Sequence, residues 1–197
     1  MTFNGICKIS ILAQGQSALV APFVFLWITI LHSILEIELS PLTTILVGAV
    51  IVVYQQFSVQ QEDLIDGFFE HCQFNGTSPI NYALAKALSV WLSTLFPMAL
   101  LLVLFGFGLT ATILITMQWM LLNTCIACLM IFIPISNHKA NPLNLLLAWL
   151  PLLIAPIIFL IDYLQYYNKN SLLIFLGCDT IIMCTVFLPF YFNRLKV

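Results

Sequence analysis

The residues most suited to chemistry lie in one short stretch, 60–72, which holds half of the eight acidic residues in the chain. The acids are Glu62, Asp63, Asp66 and Glu70, and the apolar residues among them are Leu64, Ile65, Phe68 and Phe69. No Lys or Arg within the stretch compensates the acids, so the pattern predicts a short amphipathic helix with an unpaired anionic face. Either this face binds a basic partner, or the stretch is a solvated acidic loop.

The composition of the chain predicts that membrane helices position this stretch. Of 197 residues, 62% are hydrophobic and 7% are charged, whereas a soluble domain has about 25% charged residues. A water-soluble fold is therefore excluded. Six membrane helices use roughly 120 residues, which leaves short loops and makes residues 1–197 a single transmembrane domain. A formal net charge of -2 provides no basic stripe for nucleic acid.

Six predominantly apolar runs are each about long enough to span a bilayer. They cover residues 18–35, 41–57, 80–107, 110–135, 143–161 and 172–192. Because lipid offers no partners to backbone polar groups, these runs must be helices, and internal prolines such as Pro97 are expected to break them locally. The fold class is an all-α integral membrane protein, a bundle of about six transmembrane helices with a short cytoplasmic coupling helix between spans 2 and 3. Residues 1–17 suit an interfacial helix, and residues 58–79 form the coupling segment.

The distribution of cations predicts the orientation, because cytoplasmic loops are enriched in Lys and Arg. With the N-terminus inside, four cations near the ends of spans are cytoplasmic and Lys169 is outside. The four are Lys8, Lys139, Arg194 and Lys196. Both termini are thus expected in the cytoplasm. Lys86, near the cytoplasmic start of the third span, is expected to extend its ammonium group back to the interface.

The acidic stretch also carries a specific pattern. It reads Glu62-Asp63-x-x-Asp66-Gly67-x-x-Glu70. Lys86, in the pair Ala85-Lys86, follows Gly67 by nineteen residues and precedes Trp91. This pattern resembles the cytoplasmic coupling segment of ABC-2-type permeases, and it looks most like the haem exporter protein B (CcmB) family, the permease subunit of the cytochrome c maturation system. The fifth span is similar to that family's Leu-Pro…Pro…Ile-Phe stretch, with Leu150-Pro151 and Pro156-Ile157-Ile158-Phe159.

The resemblance implies a permease that couples ATP hydrolysis by a separate ATPase subunit to haem export or to release of a haem-loaded chaperone. The implied contacts with the ATPase are Glu62, Asp63, Leu64, Asp66, Gly67, Phe68, Phe69 and Glu70. Apolar side chains would fill a groove on the ATPase, acids would meet cationic rims, and Gly67 would permit close backbone approach or simply make a turn. The chain has no Gly-x-x-x-x-Gly-Lys-Ser/Thr loop, so ATP is expected on the partner subunit, and the chain itself is not expected to be an enzyme.

The resemblance further implies partners and a location. The partners are a CcmA-like ABC ATPase, CcmC-like and CcmD-like membrane subunits, a CcmE-like haem chaperone and the lipid bilayer. Two permease halves are expected in each complex, in a bacterial inner membrane. Haem is expected as a transported or handled ligand, with no cofactor or metal bound directly by this chain.

Other functions stay open from the residues themselves. An ABC-2-type exporter of another substrate, or a non-catalytic membrane scaffold that recruits a basic partner, would use the same acidic stretch. An intramembrane enzyme is set aside because it needs clustered catalytic groups at membrane depth. Asp179 lies in the sixth span, where an ionisable group is costly, and is a candidate functional residue. Cys125-x-x-Cys128 has the spacing of a redox or metal pair, but its apolar surroundings favour packing.

Overall fold

The computed structural model of the chain describes residues 2–14, 17–34, 41–131 and 155–194. The regular elements in these ranges are helices, which confirms the predicted all-α class. They are α1 (Phe3–Gln14), α2 (Ser17–Ile34), α3 (Pro41–Ile65), α4 (Phe68–Phe74), α5 (Pro79–Val90), a π-helical turn (Trp91–Leu95), α6 (Phe96–Leu104), α7 (Leu109–Met130), α8 (Ala155–Tyr166) and α9 (Lys169–Arg194).

Four segments of the described ranges are long and apolar enough to cross a membrane. They are Leu42–Asp63, Pro79–Leu104, Leu109–Met130 and Lys169–Phe187. Two shorter apolar segments, Val20–Leu31 and Ala155–Tyr166, belong to α2 and α8. The chain is therefore a multi-pass α-helical membrane protein. The predicted run 143–161 lies mostly outside the described residues, so a bundle of six spans stays a prediction.

The bundle is apolar on its outside and partly polar inside. Large apolar side chains such as Val50, Leu104, Leu109 and Ile181 are exposed. The described part of the chain nevertheless buries six amide side chains, on Gln14, Gln55, Gln56, Gln60, Gln118 and Asn123. A soluble protein has the opposite arrangement, whereas a bundle surrounded by lipid keeps polar groups in its interior.

Helices α2, α3 and α7 meet around Trp119, which is fully buried. The indole Nε1 donates a hydrogen bond to the backbone oxygen of Ile45 at 3.2 Å. Phe25 meets the indole edge-on, with 5.7 Å between ring centroids. Gly48 lies directly against the indole, because a Cβ at this position would overlap the ring. These contacts fix the packing of α2 and α7 on the first half of α3.

Helices α3, α5 and α7 contact one another pairwise and form the centre of the bundle. α3 and α7 run in the same direction, because Ile45 contacts Trp119 and, further along both helices, Gln60 contacts Ala127. α5 runs the opposite way, since its first turns lie beside the last turns of α3. The end of α3 and the start of α5 therefore share one end of the bundle.

Helix α1 runs alongside α5. Ile6 and Cys7 pack near the start of α5. Further along, Gln14 donates to the Ser89 hydroxyl at 3.1 Å and accepts from the Ser93 hydroxyl at 2.6 Å. The helix predicted within residues 1–17 is thus present, and it turns polar side chains toward α5.

The third span contains a local break at the π-helical turn Trp91–Leu95. The Phe96 N–H bonds to the Trp91 oxygen, five residues back, instead of four as in an α-helix. Pro97 follows and has no N–H to donate. The local break expected at Pro97 is confirmed.

We expect Gly48→Ala to lower the free energy of unfolding by about 1–3 kcal/mol, because the added methyl group must displace the Trp119 indole. Gly177→Ala in α9 is the matched control, since a Cβ there meets no atom within 4 Å. Thermal or denaturant unfolding of the detergent-solubilised protein measures both. Equal stability of the two variants would contradict the tight Gly48–Trp119 contact.

Candidate functional site

The acidic stretch is divided between two helices. α3 continues past residue 57, the predicted end of the second span, to Ile65, so Glu62 and Asp63 belong to its last turns. Gln and Glu are good helix formers, and no Gly or Pro interrupts residues 49–66. A short helix does lie between the second and third spans, but it is α4, which begins only at Phe68. The segment 58–79 is therefore the end of α3, a turn, α4 and a second turn.

Gly67 makes the turn between α3 and α4. Its φ is +69°, in the left-handed region that favours glycine. A Cβ at this position would have Glu70 Oε2, at 3.9 Å, as its nearest neighbour. Space around Gly67 is therefore ample, and glycine is required for the backbone conformation. Of the two predicted roles, this geometry favours the turn.

The buried centre of this end is a group that we call the Lys86 cluster, made of Asp63, Phe68, Tyr82 and Lys86. Lys86 is 2% exposed and forms an ion pair with Asp63. The Tyr82 hydroxyl donates a hydrogen bond to the same Asp63 oxygen, Oδ2. Lys86 is thus buried and paired with a carboxylate at the end of a candidate span; its extension to the membrane interface stays a prediction.

Aromatic rings complete the surroundings of the Lys86 ammonium group. Its Nζ lies 5.1 Å from the centroid of the Phe68 ring and 5.8 Å from that of Tyr82. Phe69 packs on Tyr82, with 4.8 Å between centroids. Ring faces attract cations, so α4 supplies part of the environment that makes a buried lysine tolerable.

The eight predicted partner contacts differ in accessibility. Glu62 and Asp66 are exposed; Asp63, Gly67, Phe68 and Glu70 are partly buried; Phe69 is buried; and the side chain of Leu64 lies outside the described residues. The sequence predicted an anionic face with no paired acid. The structure differs at Asp63, because Lys86 neutralises it. Phe69 fills this chain's own core against Tyr82, so its side chain is not available to a partner in this conformation.

The surface that remains accessible combines acids with apolar side chains. Ile65, beside Asp66, is 72% exposed, and Phe74 at the end of α4 is 91% exposed. We call Glu62, Ile65, Asp66 and Phe74 the acidic surface. These four residues are exposed acids and exposed large apolar side chains of the segment between the second and third spans.

Two thiols pack beside the Lys86 cluster. Cys7 of α1 and Cys72 of α4 share an apolar cluster with Phe69 and Tyr82. Burial raises the pKa of both thiols; the nearby Asp63 adds to the rise at Cys72, and the charge of Lys86 opposes it at both. Both groups are therefore neutral at pH 7 and contribute packing.

The sequence analysis named Asp63 and Lys86 but missed the polar residues that share their helix faces. Tyr82 and Ser89 of α5 and Ser93 of the π-helical turn form a series with Lys86 at intervals of three or four, and Gln56 and Gln60 of α3 form one with Asp63. Residues at this spacing share one face of a helix. A polar stripe within an apolar run was the available signal, and it identifies the face turned toward neighbouring helices.

The remaining candidates lie in the spans. Cys125 and Cys128 are buried in an apolar cluster with Ala87 and Ile182, in agreement with a packing role. Asp179 is partly buried, and its Oδ1 has no hydrogen-bond partner. Within the described ranges, no three His, Cys, Asp or Glu side chains are grouped so as to hold a metal ion.

Comparison with models of known protein families, with curated proteins and with solved structures gives no match. The likeness to the haem exporter protein B family therefore remains a hypothesis that depends on the sequence pattern.

We expect Lys86→Met and Asp63→Asn each to lower the free energy of unfolding by about 3–5 kcal/mol, because each leaves a buried group without its partner. The double variant should recover most of this loss, since no unpaired charge remains. Unfolding of all three in detergent gives the coupling energy. Lys8→Met, at an exposed position, is the control and should change stability by less than about 0.5 kcal/mol. Additive losses in the double variant would contradict the ion pair.

Proposed function

We propose that this chain is the membrane-spanning subunit of an ABC-2-type exporter whose energy comes from a separate ATPase. In its narrower form, the proposal is a permease of cytochrome c maturation that exports haem or releases a haem-loaded chaperone. It would lie in a bacterial inner membrane with both termini and the acidic surface in the cytoplasm. The sequence has no phosphate-binding loop, so the nucleotide would be held by the partner.

The observation that carries the proposal is the continuity between the acidic surface and the spans. α3 is one uninterrupted helix from Pro41 to Ile65, and its last turns bear the exposed acid Glu62. Its first half is packed around Trp119. A displacement applied to the end of α3 would therefore reach the centre of the bundle through a single rigid element.

The Lys86 cluster offers a second route from the surface to the spans. Phe68 of α4 covers the ammonium group of Lys86, which is paired with Asp63 of α3. Separating buried opposite charges is costly, so α3 and α5 would move together. α4 would transmit its movement to them through the contact of Phe68 with Lys86.

The chemistry of the surface defines the expected partner. The acids Glu62 and Asp66 favour a partner whose binding site has a cationic rim. The exposed side chains of Ile65 and Phe74 favour an apolar groove within that rim. A scaffold that recruits a basic partner would present the same surface, but its binding would not involve an ATPase. An exporter of another substrate would differ only in its cargo.

The proposal is tested by co-purification of the full-length, detergent-solubilised chain with the ABC ATPase encoded beside it. Glu62→Lys and Asp66→Lys should each reduce ATPase recovery roughly tenfold, because a reversed charge meets a cationic rim. Asp66→Asn should have a smaller effect. Asn4→Lys is the control, since it adds a positive charge at an exposed position of α1, and it should leave recovery unchanged.

Two results would contradict the proposal. Recovery of the ATPase with all variants alike would exclude the acidic surface as its docking site. Failure of any ATPase to associate with the wild type, with or without nucleotide, would favour the scaffold function. Haem released or transferred on ATP hydrolysis by the purified complex would support the narrower form over an exporter of another substrate.

A further inference from the structure

A groove lies between α1 and α5 on the surface of the bundle. The residues that line it are Asn4, Cys7, Lys8, Ile11 and Leu12 of α1 and Leu88 of α5. Its volume is about 330 Å³, at the lower end of the range of ligand pockets, about 300–1,000 Å³. The groove shares no residue with the Lys86 cluster or with the acidic surface, so it is a second candidate binding site.

The groove follows from the way in which α1 packs on α5. The side chains that α1 buries are Ile6, Cys7, Ser10 and Gln14. Four exposed residues of α1 follow one another at helical spacing along the adjacent face. They are Asn4, Lys8, Ile11 and Leu12. The hydrogen bonds of Gln14 with the hydroxyls of Ser89 and Ser93 hold α1 in place, and the groove forms where its exposed face meets α5.

The groove changes from polar to apolar along its length. Asn4 and Lys8 lie at one end, and Leu12, one turn after Lys8, lies toward the other with Leu88. Because α1 and α5 run in the same direction, the polar end lies toward the end of the bundle at which the candidate span Pro79–Leu104 begins. Leu88 comes about 14 Å further along this span, at 1.5 Å per residue. The apolar end is therefore at the depth of the hydrocarbon core, which is about 30 Å thick.

The charge in the groove comes from Lys8. No other lining residue is charged, and Lys8 forms no ion pair within the part of the chain that the structure describes. The amide of Asn4, one turn away, can donate further hydrogen bonds. Lysine ammonium groups near the membrane surface attract anionic lipid head groups, while the alkyl stem of the side chain can lie along apolar surface. A cation followed by apolar surface is complementary to a phosphate followed by a hydrocarbon chain.

We propose that this groove binds an anionic phospholipid, with the phosphate at Lys8 and an acyl chain along Leu12 and Leu88. Free phosphate would leave the apolar end of the groove unused. A zwitterionic lipid would bring a cation of its own close to the ammonium group of Lys8. This inference does not depend on the ATPase, so a failure of ATPase recovery would leave it standing.

The test is photocrosslinking of the full-length protein in phosphatidylcholine vesicles. The probe is a minor fraction of phosphatidylglycerol with a diazirine in one acyl chain, and mass spectrometry of the labelled peptides locates the crosslinks. We expect label on α1 and on the part of α5 around Leu88. Phosphatidylcholine with the same diazirine chain is the matched probe, and it should label the groove roughly fivefold less, because one lysine near the surface favours an anionic head group by this factor.

Variants of the polar end separate a specific site from general attraction to the protein. Lys8→Gln should lower labelling by the phosphatidylglycerol probe to the level of the phosphatidylcholine probe, since it removes the cation of the groove. Lys169→Gln removes an exposed cation outside the groove and should leave labelling of the groove unchanged. Asn4→Lys should raise labelling by the phosphatidylglycerol probe, because it places a second cation one turn from Lys8.

A variant of the apolar end tests the position of the acyl chain. Leu12→Ala should lower labelling of the groove by both probes, because less apolar surface remains to hold the chain. Leu109→Ala is the control, since Leu109 is 70% exposed, as Leu12 is, but lies outside the groove.

Three results would overturn the proposal. Equal labelling by the two probes in the wild type would show only the unselective lipid that surrounds a membrane protein. Label confined to other helices, or unchanged in Lys8→Gln, would exclude this groove as the site. A second protein chain crosslinked by p-benzoylphenylalanine in place of Leu12 would mean that a helix fills the groove.

Discussion

Lys86 is a charged side chain enclosed within a membrane bundle, and its need for a counter-ion determines how the surrounding helices are arranged. Asp63 satisfies it only if α3 continues as a helix into the acidic stretch and if α5 begins beside the end of α3. Phe68 reaches the ammonium group only if α4 folds back after Gly67. The ion pair thus requires the helical extension, the turn and the short helix together.

The first half of α3 is held by apolar packing instead of an ion pair. Trp119 packs on Gly48 and Phe25, and this contact depends on shape rather than charge. Between the apolar contact and the ion pair, α3 carries Gln56, which is buried without a hydrogen-bond partner. α3 is therefore held at both ends, by apolar packing on Trp119 near its start and by the ion pair with Lys86 near its end.

The sequence was sufficient for features that depend on local chemistry or on average polarity. Apolar runs predicted the all-α membrane class, and the break at Pro97 followed from its missing N–H. The pairing of Asp63 with Lys86 was not predictable in this way, because 23 residues separate them and only tertiary packing brings them together. Phe69 was predicted to contact a partner, because an aromatic residue beside acids suits either an interface or a core. Its burial against Tyr82 in this chain's own core depends on tertiary packing that the local sequence does not encode.

The central claim is that the end of the bundle bearing the acidic surface receives an ATPase. The most direct test replaces Phe74, an exposed ring on α4, with the photoreactive residue p-benzoylphenylalanine in intact membranes. Tyr166, an exposed ring at the end of α8, provides the comparison. We predict a crosslink to an ABC ATPase from position 74 and none from position 166. Capture of the ATPase at 166 alone, or at neither position, would contradict the account.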